Sequence, residues 1–336
     1  MLFMQPFILN PVKEIIKNRV FMSPMAGVTD IPFRVMVQRY GCKFMFTEMV
    51  DANGLSYNSQ KTIKMLDRGE DAFTYGAQIV GVDENHVSKA AKMCQDKGFS
   101  VLELNAGCPV KKVVKDGKGS ALLREPKKLG KLLGRLVKEL SIPVTVKMRS
   151  GWSDKELNYL EVAKIIESEG ASAICVHPRT KMQMYTGIPN HEITRAVKAA
   201  VKIPVFASGN VFSPDRVTEL MKTTNCDAVA VARGSLGKVW IFNEICAHLS
   251  GDVNYKNPGF DDIKKIAAEH FLLSAQFYGE EKTLQRMYKH MQWYFKPYKN
   301  RHQIMCRYRE SKTFKQFMEF IGRLKLNNKN WLYLEE

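Results

Sequence analysis

A chain of 336 residues is too long for one small sandwich and suits either two ordinary domains or one large α/β barrel with an appendage. Its 51 lysines and arginines against 34 aspartates and glutamates leave a net charge of +17, which points to a polyanionic partner, with a merely solubilising surface as the plainer alternative. Seven scattered cysteines form no C-x-x-C pair and no Cys/His cluster at zinc spacing, and no run approaches the ~18 apolar residues that span a bilayer, so a reduced, cytoplasmic setting without metal or membrane is expected.

The start, MLFMQPFILNPVKEIIKN, carries charges and two prolines early and does not read as a signal peptide. Short apolar runs then recur in order: residues 20–27, 44–50, 74–80, 101–107, 144–149, 173–179, 205–210 and 227–234. Between them lie stretches such as DENHVSKAAKMCQDKG, PKKLGKLLGRLVKELS and SPDRVTELMKTTN, whose apolar positions recur at three and four residues, as on an amphipathic helix. Eight such strand–helix units predict a closed (β/α)₈ barrel over residues 1–245. A doubly wound open sheet is the runner-up, and it would want a glycine-rich turn after its first strand.

After about residue 245 the strand signal stops and helical periodicity takes over, so residues 250–336 are expected to form a smaller, all-helical domain. Its segment 281–327 holds 12 Lys/Arg against 3 Asp/Glu with aromatics interleaved, RMYKHMQWYFKPYKNRHQIMCRYRESK. That composition suits RNA, with the charges outside and most aromatics packing the domain's own core.

In a (β/α)₈ barrel, function collects at the C-terminal ends of the strands. Those ends read Pro24-Met25-Ala26-Gly27, Glu48, Gln78, Asn105 with Cys108, Lys147 with Arg149, His177 with Arg179, Gly209-Asn210 and Arg233-Gly234. The last two pairs follow strands seven and eight, where barrels often bind phosphate; the competing reading is two ordinary turns capped by Ser213 or Asp215. Lys147 and Arg149 alternate along one face of an apolar strand, so Lys147 needs either an internal carboxylate or an anionic ligand. Cys108 sits on a Gly-Cys-Pro corner beside Lys111, Lys112, Lys115 and Lys118, and from these residues alone it reads equally as nucleophile or acid.

The ordered motifs SPMAGVTDIPFR, TEMV, GAQIVG, LELNAGCPVKKVVKDGKGSALL, VTVKMRSGW, VHPRT, SGNV and VARGSLG resemble the dihydrouridine synthases, flavin enzymes that reduce uridine in tRNA. The resemblance covers roughly residues 18–245, and more loosely the basic tail. It implies FMN across the barrel mouth, lined by Pro24, Met25 and Ala26, with Gln78, Lys147 and His177 on the ring and Gly209, Asn210, Arg233 and Gly234 on the phosphate. It further implies NADPH as reductant, Asn105 and Arg179 on the target uracil, and Cys108 as the acid that gives a proton to C5 while hydride reaches C6. A monomer acting on tRNA is expected, with the four lysines after Cys108, Lys111 and Lys112 foremost, together with Lys296 and Arg301, meeting RNA phosphate. Ribosomal RNA, or a small-molecule flavin oxidoreductase of dihydroorotate dehydrogenase or ene reductase type, are the rival substrates. The segment KMQMYTGIPNHEIT departs from the family pattern at residues 189–191, and Pro178 stands where a small residue is usual.

Overall fold

The computed structural model describes residues 10–68 and 75–335. Thr74 of the third predicted strand lies outside the described residues. Eight parallel strands, β1 (Val20–Met22), β2 (Met45–Asp51), β3 (Tyr75–Val80), β4 (Val101–Ala106), β5 (Val144–Arg149), β6 (Ala173–His177), β7 (Val205–Ser208) and β8 (Ala228–Val231), close into a barrel in sequence order. β1 pairs with β8 to seal it. The predicted fold is therefore the observed one, with the first strand ending at Met22 because residues 23–27 turn away to form the rim.

The barrel interior is layered. At its N-terminal end Phe21, Phe44, Phe46, Val101, Ala173, Phe206, Ala228 and Ala230 pack together with Val12 and Ile15 of the helix Pro11–Asn18. Phe21 meets Phe46 and Phe206 edge-on at 6.0 and 5.3 Å, the geometry aromatic quadrupoles favour. The plugging helix is fixed by Asn10, whose side chain accepts from the Val12 and Lys13 amides, and by Pro11 at its first turn. This end is thus closed by apolar packing, which leaves the polar residues for the other.

Contacts divide the chain into two units: one runs up to Asp30 and again over Cys42–Arg233, the other comprises Ile31–Gly41 and Gly234 onward. The second unit contains helices Ile31–Arg39, Ile241–Ser250, Phe260–Tyr278, Glu280–Tyr294, Arg301–Tyr308 and Phe314–Arg323. It also contains a two-stranded antiparallel sheet, Leu324–Leu326 with Leu332–Leu334, which the all-helical reading of the tail does not include. The alternation Leu-Lys-Leu and Leu-Tyr-Leu about an Asn-rich turn is present in the sequence, but three residues per strand fall below the window in which period two stands out. Phe271 stacks on Phe317 at 3.8 Å, and Tyr294 and Tyr308 are buried, while Lys299, Arg307 and Arg309 are exposed, the expected division of aromatics and charge. Among the described residues no helix is long and apolar enough to cross a membrane.

Two buried histidines meet in this unit: the rings of His270 and His290 lie 4.6 Å apart, and His270 Nδ1 is 3.1 Å from the Tyr294 hydroxyl. Burial, then His270, Lys289 and Arg286, hold His290 well below its ordinary value. The folded unit keeps His290 neutral while an unfolded chain takes up a proton below pH ~6.5, so stability is complete above that pH and falls as pH drops, by roughly 1.4 kcal/mol per pH unit at most. Urea denaturation at pH 7.5 and 5.5 is expected to show lower stability at 5.5, and His290→Phe to reduce that difference.

Candidate active site

The strand registers build the site. Gln78 pairs with Glu103, Glu103 with Thr145, Asn105 with Lys147, Lys147 with Cys175, and Arg149 with His177, so in-register neighbours present their side chains to the same face. That face is the interior: Lys147 Nζ lies 3.2 Å from Cys175 Sγ, 3.3 Å from Ser208 Oγ and 3.5 Å from Ser23 Oγ, on strands that only the lumen brings together. Glu103 is buried on the neighbouring strand. Burial pushes its carboxyl up, while the charge of Lys147 and the bond from Gln78 pull it back. An internal carboxylate thus acts on Lys147, as one of the two sequence readings required.

Three arginines tie the rim loops to the barrel. Arg149 donates from Nε to the Gly107 carbonyl at 2.7 Å and from Nη1 to the carbonyls of Thr180 and Met184 at 2.9 and 2.6 Å. Arg179, buried, donates to the carbonyls of Thr186 and Gly187 at 2.9 and 2.5 Å and to Asn210 Oδ1 at 3.2 Å. Arg233 reaches the same Asn210 oxygen at 2.9 Å, and its guanidinium lies over Tyr185 and Phe212 at 5.7 and 5.8 Å. Arg179 is therefore committed to shaping the loop after β6, a scaffold role beside any contact with a base.

His177 sits among these cations. Burial first, then Arg149, Lys147, Arg179 and Arg233, push its imidazole down to about 2. Its Nε2 faces the Arg179 guanidinium at 3.3 Å; since a guanidinium only donates, Nε2 accepts and the ring proton resides on Nδ1. Each of the four cations is held by carbonyl, amide, hydroxyl or thiol atoms, with no carboxylate in direct contact among the described residues. The cluster retains positive charge that an anionic ligand would neutralise, and this donor set fits a phosphate ester and a ring that gains negative charge on reduction.

The rim after β1 is equally fixed: Met25 N and Thr29 Oγ1 are 3.0 Å apart, and the Gly27 amide, at φ +73°, donates to Glu48 Oε1 at 2.5 Å. Pro24 and Met25 are half-buried there and Ala26 is exposed. After β7, Gly209 and Asn210 adopt φ +127° and +53°, and the departing segment packs on them: His191 Nε2 is 3.4 Å from the Gly209 carbonyl. Ser213 does cap the following helix Pro214–Thr224, accepting from the Arg216 amide, as the plainer reading of this turn expects. Gly234 lies buried in the short turn Arg233–Ser235.

Cys108 is half-buried at a corner clamped from both sides. Asn105 Oδ1 accepts from the amides of Gly107 and Cys108 at 3.0 and 2.8 Å, and the Cys108 carbonyl accepts from Ser120 N and Oγ at 3.0 and 2.8 Å. Burial pushes the thiol up, against smaller downward pulls from the Val110 backbone and Arg149. Cys108 therefore holds its proton at neutral pH. Lys111 and Lys112 lie exposed on the turn Lys111–Lys115, but Lys118 does not join them. It is buried against Asp51, Nζ to Oδ1 at 2.7 Å, which removes it from the expected RNA-facing group.

The profile of the family described as dihydrouridine synthase (Dus) matches residues 21–324. The chain belongs to the dihydrouridine synthase family. Curated relatives include the tRNA-dihydrouridine synthase B of Pasteurella multocida (strain Pm70), 36% identical over 279 residues covering 83% of this chain and 84% of that one. That of Pseudomonas putida (strain KT2440) is 37% identical over 280 residues, 83% of each chain. Among solved structures, a 2-naphthoyl-CoA reductase complex superposes with a TM-score of 0.55 at 12% identity, over 68% of this chain and 50% of that one. At that identity the likeness concerns the fold alone.

Within a dihydrouridine synthase, an oxidoreductase, two residues that sequence reading passes over gain a place, Glu103 and Ser120, while Arg149 and Lys118 take partners the sequence does not show. Glu103 was visible as the lone carboxylate in the apolar strand VLELNA, and Arg149 as the second cation of VKMR. Nothing local marks Ser120, bonded to a carbonyl 12 residues away, or the pairing of Lys118 with a carboxylate 67 residues away. Lys296 and Arg301 belong to the second unit, Lys296 exposed and Arg301 half-buried at the start of the helix Arg301–Tyr308.

Proposed function

We propose that this chain reduces the C5–C6 double bond of uridines in tRNA to 5,6-dihydrouridine, with FMN as resident cofactor and NADPH as reductant. The observation that carries the reading is Cys108 on a corner clamped by Asn105 and Ser120, beside a cation cluster whose direct hydrogen-bond partners are neutral atoms. Lys147 and His177 would hold the FMN ring, with Pro24, Met25 and Ala26 as lining, and Gly209, Asn210 and Arg233 its phosphate. FMN, when bound, supplies hydride from N5 to uracil C6. Cys108 gives the proton to C5, so one hydride and one proton saturate the bond and the thiolate is reprotonated from solvent.

His177, neutral across the physiological range, offers a hydrogen bond without adding charge, while Lys147 supplies charge where reduction builds its opposite. The target uracil has to leave its stack, at a cost of a few kcal/mol that phosphate contacts offset. Lys111 and Lys112 near the thiol and Lys296 and Arg301 in the basic unit supply such contacts, supported by the net charge of +17 and by relatives named for tRNA.

The test is site-resolved mapping of dihydrouridine in RNA from cells lacking the chain. Loss at defined tRNA positions is expected; unchanged dihydrouridine in tRNA, or loss in ribosomal RNA alone, overturns the reading. A second measurement separates binding from chemistry: Lys111→Gln with Lys112→Gln is expected to raise the KM for tRNA more than it lowers kcat, and to reduce the salt slope of binding by about two.

A further inference from the structure

The hydrogen bonds between Glu103 and Cys108 have only one possible polarity. Backbone N–H groups only donate, so the Asn105 atom that meets the amides of Gly107 and Cys108 is its carbonyl oxygen Oδ1. Its Nδ2 is then the atom turned toward Gln78, donating to Oε1 at 2.9 Å. Gln78 is left with Nε2 facing Glu103, and donates to Oε2 at 2.5 Å. Three side chains from β3 and β4 thus form a one-way chain that begins on a carboxylate and ends on the backbone of the thiol corner.

All three are shielded from water: Gln78 is 1% exposed, Glu103 2% and Asn105 6%. No solvent competes for the amides, and each bond polarises the next. In this geometry Glu103 Oε2 only accepts from Gln78 Nε2, whereas an amide at position 103 could present its NH₂ there and let both amides turn over. Reversing Asn105 would direct its NH₂ at two backbone N–H groups and release the corner. Glu103 is thus linked to the thiol corner through two amide side chains.

We infer that Glu103 is a positioning residue for the proton donor, fixing through Gln78 and Asn105 the amide orientations that hold the Cys108 corner. The inference rests on the reading of Cys108 as the acid of uridine reduction. Glu103→Gln keeps the shape and one acceptor oxygen but permits the reversed chain.

The experiment uses the FMN-loaded enzyme with tRNA lacking dihydrouridine. In Glu103→Gln, single-turnover uridine reduction by pre-reduced enzyme is expected to fall roughly 10–100-fold, the range for leaving a buried hydrogen-bonding group mispaired. Affinity for tRNA and the rate of flavin reduction by NADPH stay at the wild-type level, and the rate at which iodoacetamide alkylates Cys108, read by peptide mass spectrometry, changes. Asn105→Asp, which cannot donate to Gln78, reproduces both effects, and the double variant is no worse than Asn105→Asp alone. Wild-type single-turnover rates in Glu103→Gln, or an equal loss in flavin reduction, overturn the inference. If Glu103→Gln does not fold, unchanged alkylation of Cys108 in Asn105→Asp overturns it. Cys108→Ala in parallel separates the two readings: full activity there sinks Cys108 as the acid, while alkylation of the Glu103→Gln enzyme still reports whether Glu103 holds the corner.

Discussion

Replacing Cys108 with alanine is expected to lower the single-turnover rate of uridine reduction by roughly 10²–10⁴-fold, the contribution of a positioned general acid. The reduction of bound flavin by NADPH is expected to be unchanged, because that half of the cycle needs no proton at uracil C5. The sign of the effect follows from the environment. Burial raises the thiol above its ordinary value, so at pH 7 the side chain is a stored proton and not a nucleophile. Serine would keep the shape and hold its proton too tightly, so Cys108→Ser should resemble Cys108→Ala in rate and differ little in tRNA affinity. A rapid-quench assay counting dihydrouridine per flavin decides it, and a fully active alanine variant would remove Cys108 from the chemistry.

The second large effect is expected at Gly119, which no chemical argument would single out. Its φ is +62°, and an added Cβ would stand 2.8 Å from the Cys108 carbonyl oxygen and 3.0 Å from Cys108 Cβ. The left-handed backbone costs an alanine about 1–2 kcal/mol, and the contact is with backbone, which cannot swing aside as a side-chain end can. Gly119→Ala is therefore expected to push the thiol corner outward. A misplacement of about 1 Å costs on the order of 100-fold in rate. The variant should lose uridine reduction by that factor, bind tRNA as before, and melt a few degrees lower. Normal turnover with lowered melting would mean that the corner yields without moving the thiol.

Much of this is legible in the sequence alone. Short apolar runs alternating with 3.6-residue periodicity locate all eight strands of the barrel to within a few residues, because the strands are mostly buried and each helix buries one stripe. The polar residues at the strand ends were legible for the same reason: against valine, isoleucine and alanine, Gln78, Asn105, Lys147 and His177 stand out. The pairing of Lys147 with Arg149 on one face followed from the pleat alone, and the registers agree. The serine that caps the helix Pro214–Thr224 is a local signal and reads as such.

What stayed hidden depends on contacts between distant segments. Lys118 reads as one of four lysines beside Cys108, yet its ammonium is spent on Asp51, 67 residues earlier, and only barrel closure puts them together. Arg179 reads as a base-binding cation, but three of its donors are committed to Thr186, Gly187 and Asn210. The second unit claims Ile31–Gly41 from within the barrel sequence, an assignment no linear boundary contains.

By itself the sequence determined the barrel, the residue types at its mouth, and the basic aromatic tail, because burial and charge act residue by residue and leave a periodic trace. Tertiary structure decided which cations are free, which amides are oriented, and whether the thiol holds its proton. Those are properties of the field and hydrogen bonds around a group, and they exist only once strands far apart in the chain stand side by side.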